Sequence, residues 1–318
     1  MALQTSVANS LDNAGDEAKL DRNVKKIFFH EAVLAPLMRM CIPGFQNYSD
    51  EYIVANCFTE KPVINKYSVH QDEGGKLDGD QRVTQMNSED NASNEQVIHY
   101  DIRYTAIVPG TEQRIKVVIN LEIQDDHNLG YRVVTRGLYY CSRMISAQYG
   151  TVFTHQEHDR IQKVYSIWIC PDSESKRNTI TDYTVQETVR LENNTQDRKD
   201  YDKLQVIVIT LGPGGLNSVD GLIRYLSLLL SNEKPLDERK KQLEDEYRIG
   251  MTQELGEEMS SVCNLGEAIA KKSKAEGETK LGKLIAKLIA SGSSQEDINK
   301  AATDPIYREK LYAQFGIA

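Results

Sequence analysis

Apolar residues along this chain alternate between two spacings, and the spacing changes mark its elements. The first apolar block, Val24-Lys25-Lys26-Ile27-Phe28-Phe29, continues at helical spacing towards Met40. This predicts one helix that Asp21 caps and Pro43-Gly44 ends. Ser49-Asp50-Glu51 predicts a short helix leading to Cys57. Residues 71–94, loaded with Gly, Asp, Asn, Ser and Glu, read as a long exposed loop or an elaborated hairpin. β-Branched and aromatic runs then predict strands over residues 97–108 and 114–124, joined by a turn at Pro109-Gly110-Thr111-Glu112. A helix over 133–149, stopped by Gly150, leads to a buried strand over 164–170. Strands over 180–191 and 203–211 flank a charged loop, and Pro213-Gly214-Gly215 turns the chain into a helix over 218–231. The order α, β, β, α, β, β, β, α predicts an α/β fold with a mixed central sheet flanked by helices.

After residue 232 the pattern changes to Glu, Lys, Leu and Ala with few β-branched runs. Helices are predicted over 236–248, 251–275, 279–290, 294–302 and 305–315, with Ser294 and Asp297 at capping-box spacing. The expected organisation is a flexible lead-in over 1–20, an α/β domain over 21–232 and a helical C-terminal appendage over 233–318.

Composition narrows the class of protein. Mean hydropathy is −0.51 and no apolar run approaches the length of a bilayer span, so no membrane residence is expected. The polar, acidic start lacks the cationic and apolar parts of a secretory signal. Five cysteines without a CxxC spacing read as reduced thiols, which points to the cytoplasm. The net charge of −9 opposes a nucleic-acid partner. Locally the balance reverses: Arg132, Arg136, Arg143, Arg160 and Lys163 meet only Glu157 and Asp159 between Tyr131 and Tyr165.

The candidate chemistry lies at the ends of the first two long strands. Asp101 sits in Tyr100-Asp101-Ile102-Arg103, and Glu122 follows the apolar run that ends in Leu121. Antiparallel pairing would bring the two carboxylates to one end of a hairpin. Convergent carboxylates at an apolar strand end are costly to desolvate without a cation, and hard oxygen donors suit Mg²⁺ or Mn²⁺. Asp101, Glu122 and the backbone carbonyl of Ile123 are the expected metal ligands. Gln124, two positions past Glu122, shares its strand face and can orient a water. Arg136, Tyr140 and Arg143 fall on one helical face; Arg136 would steady phosphate charge, with Tyr140 and Arg143 as further phosphate contacts. Taken alone, the acidic pair also reads as a surface ion-pair partner and a strand-end residue. His155-x-x-His158 lacks a third zinc ligand, Glu89 and Asp90 read as a solvated loop, and Trp168 reads as core.

Six segments in order carry a family resemblance: Asp21-Arg22-Asn23-Val24-Lys25, Asn87-Ser88-Glu89-Asp90, Tyr100-Asp101-Ile102-Arg103, Ile119-Asn120-Leu121-Glu122-Ile123-Gln124, Arg136-Gly137-Leu138-Tyr139-Tyr140-Cys141-Ser142-Arg143-Met144 and Lys163-Val164-Tyr165-Ser166-Ile167-Trp168. Over about half its length the chain resembles the bacterial PD-(D/E)XK nuclease family labelled "transposase", a relative of the recombination-promoting Rpn nucleases. The segment Leu284-Ile285-Ala286-Lys287-Leu288-Ile289-Ala290-Ser291-Gly292 resembles that family's variable tail. The resemblance implies a restriction-endonuclease-like core and metal-dependent DNA cleavage tied to recombination, mobile elements or phage defence. It puts Asp101, Glu122 and Gln124 on the catalytic positions, with Gln124 replacing the Lys of the wider superfamily. It also implies a homodimer. RNA or structured junctions are alternative substrates, and a catalytically weak or inactive module binding DNA or a protein partner is the alternative function.

Overall fold

The computed structural model describes residues 22–59, 63–64, 68–70, 89–91, 98–99, 102–121, 132–171, 177–191 and 194–317. The chain divides into two compact units, the first within Ala18–Cys263 and the second including Asn264–Ala318.

The first unit is built on a mixed six-stranded sheet. Its strands are β1 (Val63–Ile64), β5 (Ile102–Ile107), β6 (Arg114–Leu121), β7 (Lys163–Pro171), β8 (Thr179–Thr184) and β9 (Leu204–Leu211), in the order β1-β5-β6-β7-β9-β8. β5 and β6 form the expected antiparallel hairpin, in the register Ile102↔Ile119 to Ile107↔Arg114. Gly110 makes the turn at φ +72, where a Cβ would stand 2.7 Å from the Tyr48 hydroxyl. β7 runs parallel to both β6 and β9, and β8 closes the sheet antiparallel to β9. A separate three-stranded sheet joins β2 (Ser68–His70), β3 (Glu89–Asn91) and β4 (Ile98–His99). Glu89 and Asp90 therefore lie on a strand, not in the expected loop.

Strand alternation divides the core between the two faces of the large sheet. Ile102, Tyr104, Val117, Tyr165, Ile167 and Ile207 pack with the helices α2 (Glu31–Cys41) and α6 (Gly221–Leu230). Val164, Trp168 and Val206 face the other way, onto Tyr140, Cys141 and Met144 of α4 (Val133–Ser146). The helix expected from Asp21 to Met40 is two pieces, a helical segment over 22–27 (α1) and α2. His30 starts α2 in an extended conformation, and its Nε2 lies 2.8 Å from a Glu258 carboxylate oxygen, a tie 228 residues distant in the chain. Local periodicity does not report such a contact. The short helix α3 (Asp50–Asn56) is capped by Ser49, whose Oγ accepts from the Tyr52 N–H. Arg39 anchors α3 to α2 through two hydrogen bonds to the Asp50 carboxylate, at 2.7 and 3.1 Å.

The core extends past residue 232. Leu243 of α7 (Leu236–Tyr247) and Leu255, Met259 and Val262 of α8 (Gln253–Ala290) belong to the same buried cluster as α2 and α6. Arg239 on α7 is fully buried and donates to the carbonyls of Leu228 and Leu229, covering the negative end of α6. The two helices expected over 251–275 and 279–290 are one 38-residue helix, α8. Gly277, which falls between the two expected helices, weakens a helix by only about 1 kcal/mol. In the second unit Leu284, Leu288, Ala301 and Leu311 form a small core of α8, α9 (Gln295–Thr303) and α10 (Pro305–Phe315), and Ser294 and Asp304 cap the last two helices. Among the described residues no helix is long and apolar enough to cross a membrane.

Gly137 sets how closely α4 approaches the sheet: a Cβ there would stand 2.6 Å from a Val206 methyl and 2.8 Å from Trp168 Nε1. Gly137→Ala is expected to destabilise the first unit by about 1–3 kcal/mol through overpacking. Thermal unfolding checks this, with a fall in Tm of about 2–4 °C per kcal/mol for a unit of this size.

Candidate functional site

The carboxyl ends of β6, β7 and β9 lie side by side, with Leu121 level with Ile169 and Pro171 level with Leu211. Ile102 begins β5 at this same end of the sheet. The described residues stop there: Asp101, Glu122, Ile123 and Gln124 all lie outside them. Chain order places Asp101 immediately before Ile102 and Glu122 immediately after Leu121.

Beside this end stands the face of α4. Trp168 is the Cα partner of Asn120 on one side and of Val208 on the other. The Arg136 guanidinium sits 5.6 Å from the Trp168 ring centroid and 5.2 Å from that of Tyr140. Arg136 Nε donates to the Tyr140 hydroxyl at 2.7 Å, and the Tyr140 and Trp168 rings pack with centroids 5.5 Å apart. Trp168 Nε1 donates to Ser166 Oγ at 2.9 Å. Arg136 is thus held by a hydrogen bond and two aromatic faces, an arrangement that fixes a guanidinium which would otherwise rotate freely. Tyr140, expected as a phosphate contact, is 3% exposed, and its hydroxyl accepts a hydrogen bond from Arg136. The neighbouring Tyr139 points outward and is 45% exposed, as adjacent helical residues diverge by about 100°. Arg143 is half-buried on α4.

The α4 side of the sheet is apolar on β7 and β9 but polar on the hairpin. Arg103 and Thr105 on β5 and Lys116 on β6 are all buried. Thr105 pairs with Lys116, and Lys116 with Val164, so these residues share the face of Val164 and Trp168. Two buried cations thus lie on one sheet face. Sequence reading passed over both, although Ile-Arg-Tyr-Thr-Ala-Ile and Arg-Ile-Lys-Val put every second residue on one side.

The locally basic stretch is less basic than its composition suggests. Lys163 Nζ makes a nearly buried ion pair with Asp202 at 2.7 Å, and Arg160 pairs with Glu157. His158 packs its ring on Phe153, and among the described residues no cluster of His, Cys, Asp or Glu could hold a metal ion. A cleft of about 340 Å³ lined by Arg39, Cys41, Asp182, Ile207 and Asp220 opens on the α2 and α6 face, on the opposite side of the sheet from Arg136. No family model, curated protein or solved structure matches this chain.

Two outcomes follow from the α4 contact. Trp168 is the only tryptophan, so its emission reports on Arg136. Arg136→Ala should change that emission while the far-UV circular dichroism stays the same, and Tyr140→Phe should cost about 1 kcal/mol for the lost hydrogen bond. Burial also pushes the Cys141 thiol up to about 12 from an ordinary 9.0. A raised folded value means that this stabilisation is fully present below pH 9.0 and is lost as pH rises towards about 12. Denaturant titrations across that window should show stability falling by at most about 1.4 kcal/mol per pH unit from this thiol, and Cys141→Ala should flatten the slope.

Proposed function

We propose that this chain is a metal-dependent DNA endonuclease with a PD-(D/E)XK, restriction-endonuclease-like core. Asp101, Glu122 and the carbonyl of Ile123 hold Mg²⁺ or Mn²⁺, Gln124 orients the attacking water, and Arg136 balances charge on the phosphate. The observation that carries this reading is the register at one end of the sheet. Ile102 and Leu121, the chain neighbours of Asp101 and Glu122, end the same side of the β5–β6 hairpin. Arg136 is held over Trp168, one strand from Asn120 at that end. Open α/β sheets place their ligands at the carboxyl ends of the strands, which favours this end over the Lys163–Asp202 end.

The donor set of two carboxylates and a carbonyl is hard oxygen, as Mg²⁺ and Mn²⁺ require. When bound, a divalent ion there lowers the pKa of water and stabilises the charge of a five-coordinate phosphate. The side chains do the rest. Gln124 can align the water by hydrogen bonding without adding charge, and a guanidinium braced by Tyr140 and Trp168 meets phosphate oxygens at little entropic cost. Arg103, two residues after Asp101 in the chain, brings a buried cation to this end of the same sheet face.

Gln124 in place of Lys, together with the net charge of −9, favours a second reading in which the same fold binds DNA or a protein without cutting. Calorimetric titration with Mn²⁺ separates the two, because a fold that binds no metal cannot run this chemistry.

The decisive assay is plasmid nicking and linearisation with Mg²⁺, Mn²⁺ or EDTA. Cleavage is expected with either metal and not with EDTA; Glu122→Ala should abolish it with its circular dichroism unchanged, and Arg136→Ala should slow it by about 100-fold. Equal cleavage by wild type and Glu122→Ala would remove Glu122 from the site.

A further inference from the structure

The sequence pattern from Asp182 to Leu191 is that of a half-buried strand, and the structure leaves it uncovered. Tyr183, Val185, Val189 and Leu191 alternate with Asp182, Thr184, Gln186, Thr188 and Arg190, with Glu187 the only charge among the apolar positions. β8 ends at Thr184, and among the described residues no strand pairs residues 185–191. Tyr183, Val185, Val189 and Leu191 are between 39% and 87% exposed. β8 is also the last strand of the sheet, and among the described residues no strand pairs with its outer edge. It has no proline, lysine or bulge to discourage pairing. The sequence expectation of one strand over 180–191 thus fails in the single chain for want of a partner strand, since β9 pairs only with 179–184.

We infer that residues 182–190 pair antiparallel with the same residues of a second copy of this chain, about a two-fold axis at Gln186. An antiparallel pair of identical strands must be centred on one residue for each pair to share a face. Centring on Gln186 sets Asp182 opposite Arg190, Tyr183 opposite Val189, Thr184 opposite Thr188 and Val185 opposite Glu187, each of them twice. Both charges find an opposite partner on the polar face, while Tyr183 and Val189 meet on the apolar face. Within one chain Asp182 accepts only the Gln205 amide, and neither Asp182 nor Arg190 forms an ion pair among the described residues. Centring on Asp182 instead would set Asp182 against itself, and centring on Thr181 would set Ile180 against Asp182. Of these three centres only Gln186 sets opposite charges against each other, and this charge complementarity supports a second copy of the chain in that register. Backbone pairing at the edge supplies the attraction, as in other strand additions. This pairing does not depend on the nuclease reading and stands or falls without it.

Sedimentation velocity and light scattering on the full chain test the inference. The wild type should be a dimer, and Arg190→Asp should raise the dissociation constant by about 100-fold by opposing two aspartates at each site. Adding Asp182→Arg to Arg190→Asp should restore the dimer, a rescue that misfolding cannot mimic. A second measurement uses Gln186→Cys. Cα atoms of an antiparallel pair lie about 4.5–5.5 Å apart, within disulfide range, so copper phenanthroline in air should take two electrons and two protons from the paired thiols and link the copies. The wild type, whose five cysteines are buried or half-buried, is the control. A monomeric wild type, a dimer indifferent to Arg190→Asp, or a double variant that stays monomeric would each overturn the pairing.

Discussion

The close seat of α4 on β7 and β9 is the constraint on which the site depends. Gly137 lets the helix approach until its backbone lies against Val206 and the Trp168 indole. At that distance Tyr140 becomes core, and its hydroxyl and ring, with the face of Trp168, leave Arg136 one well-defined place. A longer side chain at 137 would lift the helix and free the guanidinium. One missing methyl group thus couples helix–sheet packing to the geometry of a charged side chain near the strand ends.

The same face of the sheet is divided by polarity. On β7 and β9 it is covered by α4 and reads as ordinary core; on the hairpin it carries Arg103, Thr105 and Lys116 in buried positions. Core packing alone does not account for buried arginine and lysine, because apolar residues of similar volume would be no less stable. Of these, Arg103 stands two residues after Asp101 in the chain, at the end of the sheet where the phosphodiester chemistry is proposed. The opposite face follows the usual pattern, with isoleucines and leucines packed against α2 and α6 and extended by α7 and the start of α8.

Elsewhere charge is used for architecture. Lys163 and Asp202 tie β7 to the segment before β9, Arg39 and Asp50 join α2 to α3, and His30 meets Glu258 across the length of the unit. Counting basic residues along the chain overstates the cationic surface because two of them, Lys163 and Arg160, are already neutralised in the fold. α4 itself carries Arg136 and Arg143, with Arg132 at its N-cap.

The sequence by itself determined the β5–β6 hairpin, the buried strands β7 and β9 and most helix starts; it missed β1 and the second sheet, whose strand β4 it read together with β5 as one strand over 97–108. The elements it determined rest on local properties: period-2 and helical spacing, the Gly110 turn, and the caps Ser49 and Ser294. It also marked Arg136 as a candidate cation and Trp168 as core. Tertiary structure decided what depends on distant partners. It broke the first helix at His30, joined α8 across Gly277, carried the core past residue 232 and ended β8 at Thr184, where β9 gives out. It turned Tyr140 inward and spent Lys163 on Asp202, because packing distance and the cost of a buried charge are set by neighbours that no local pattern names.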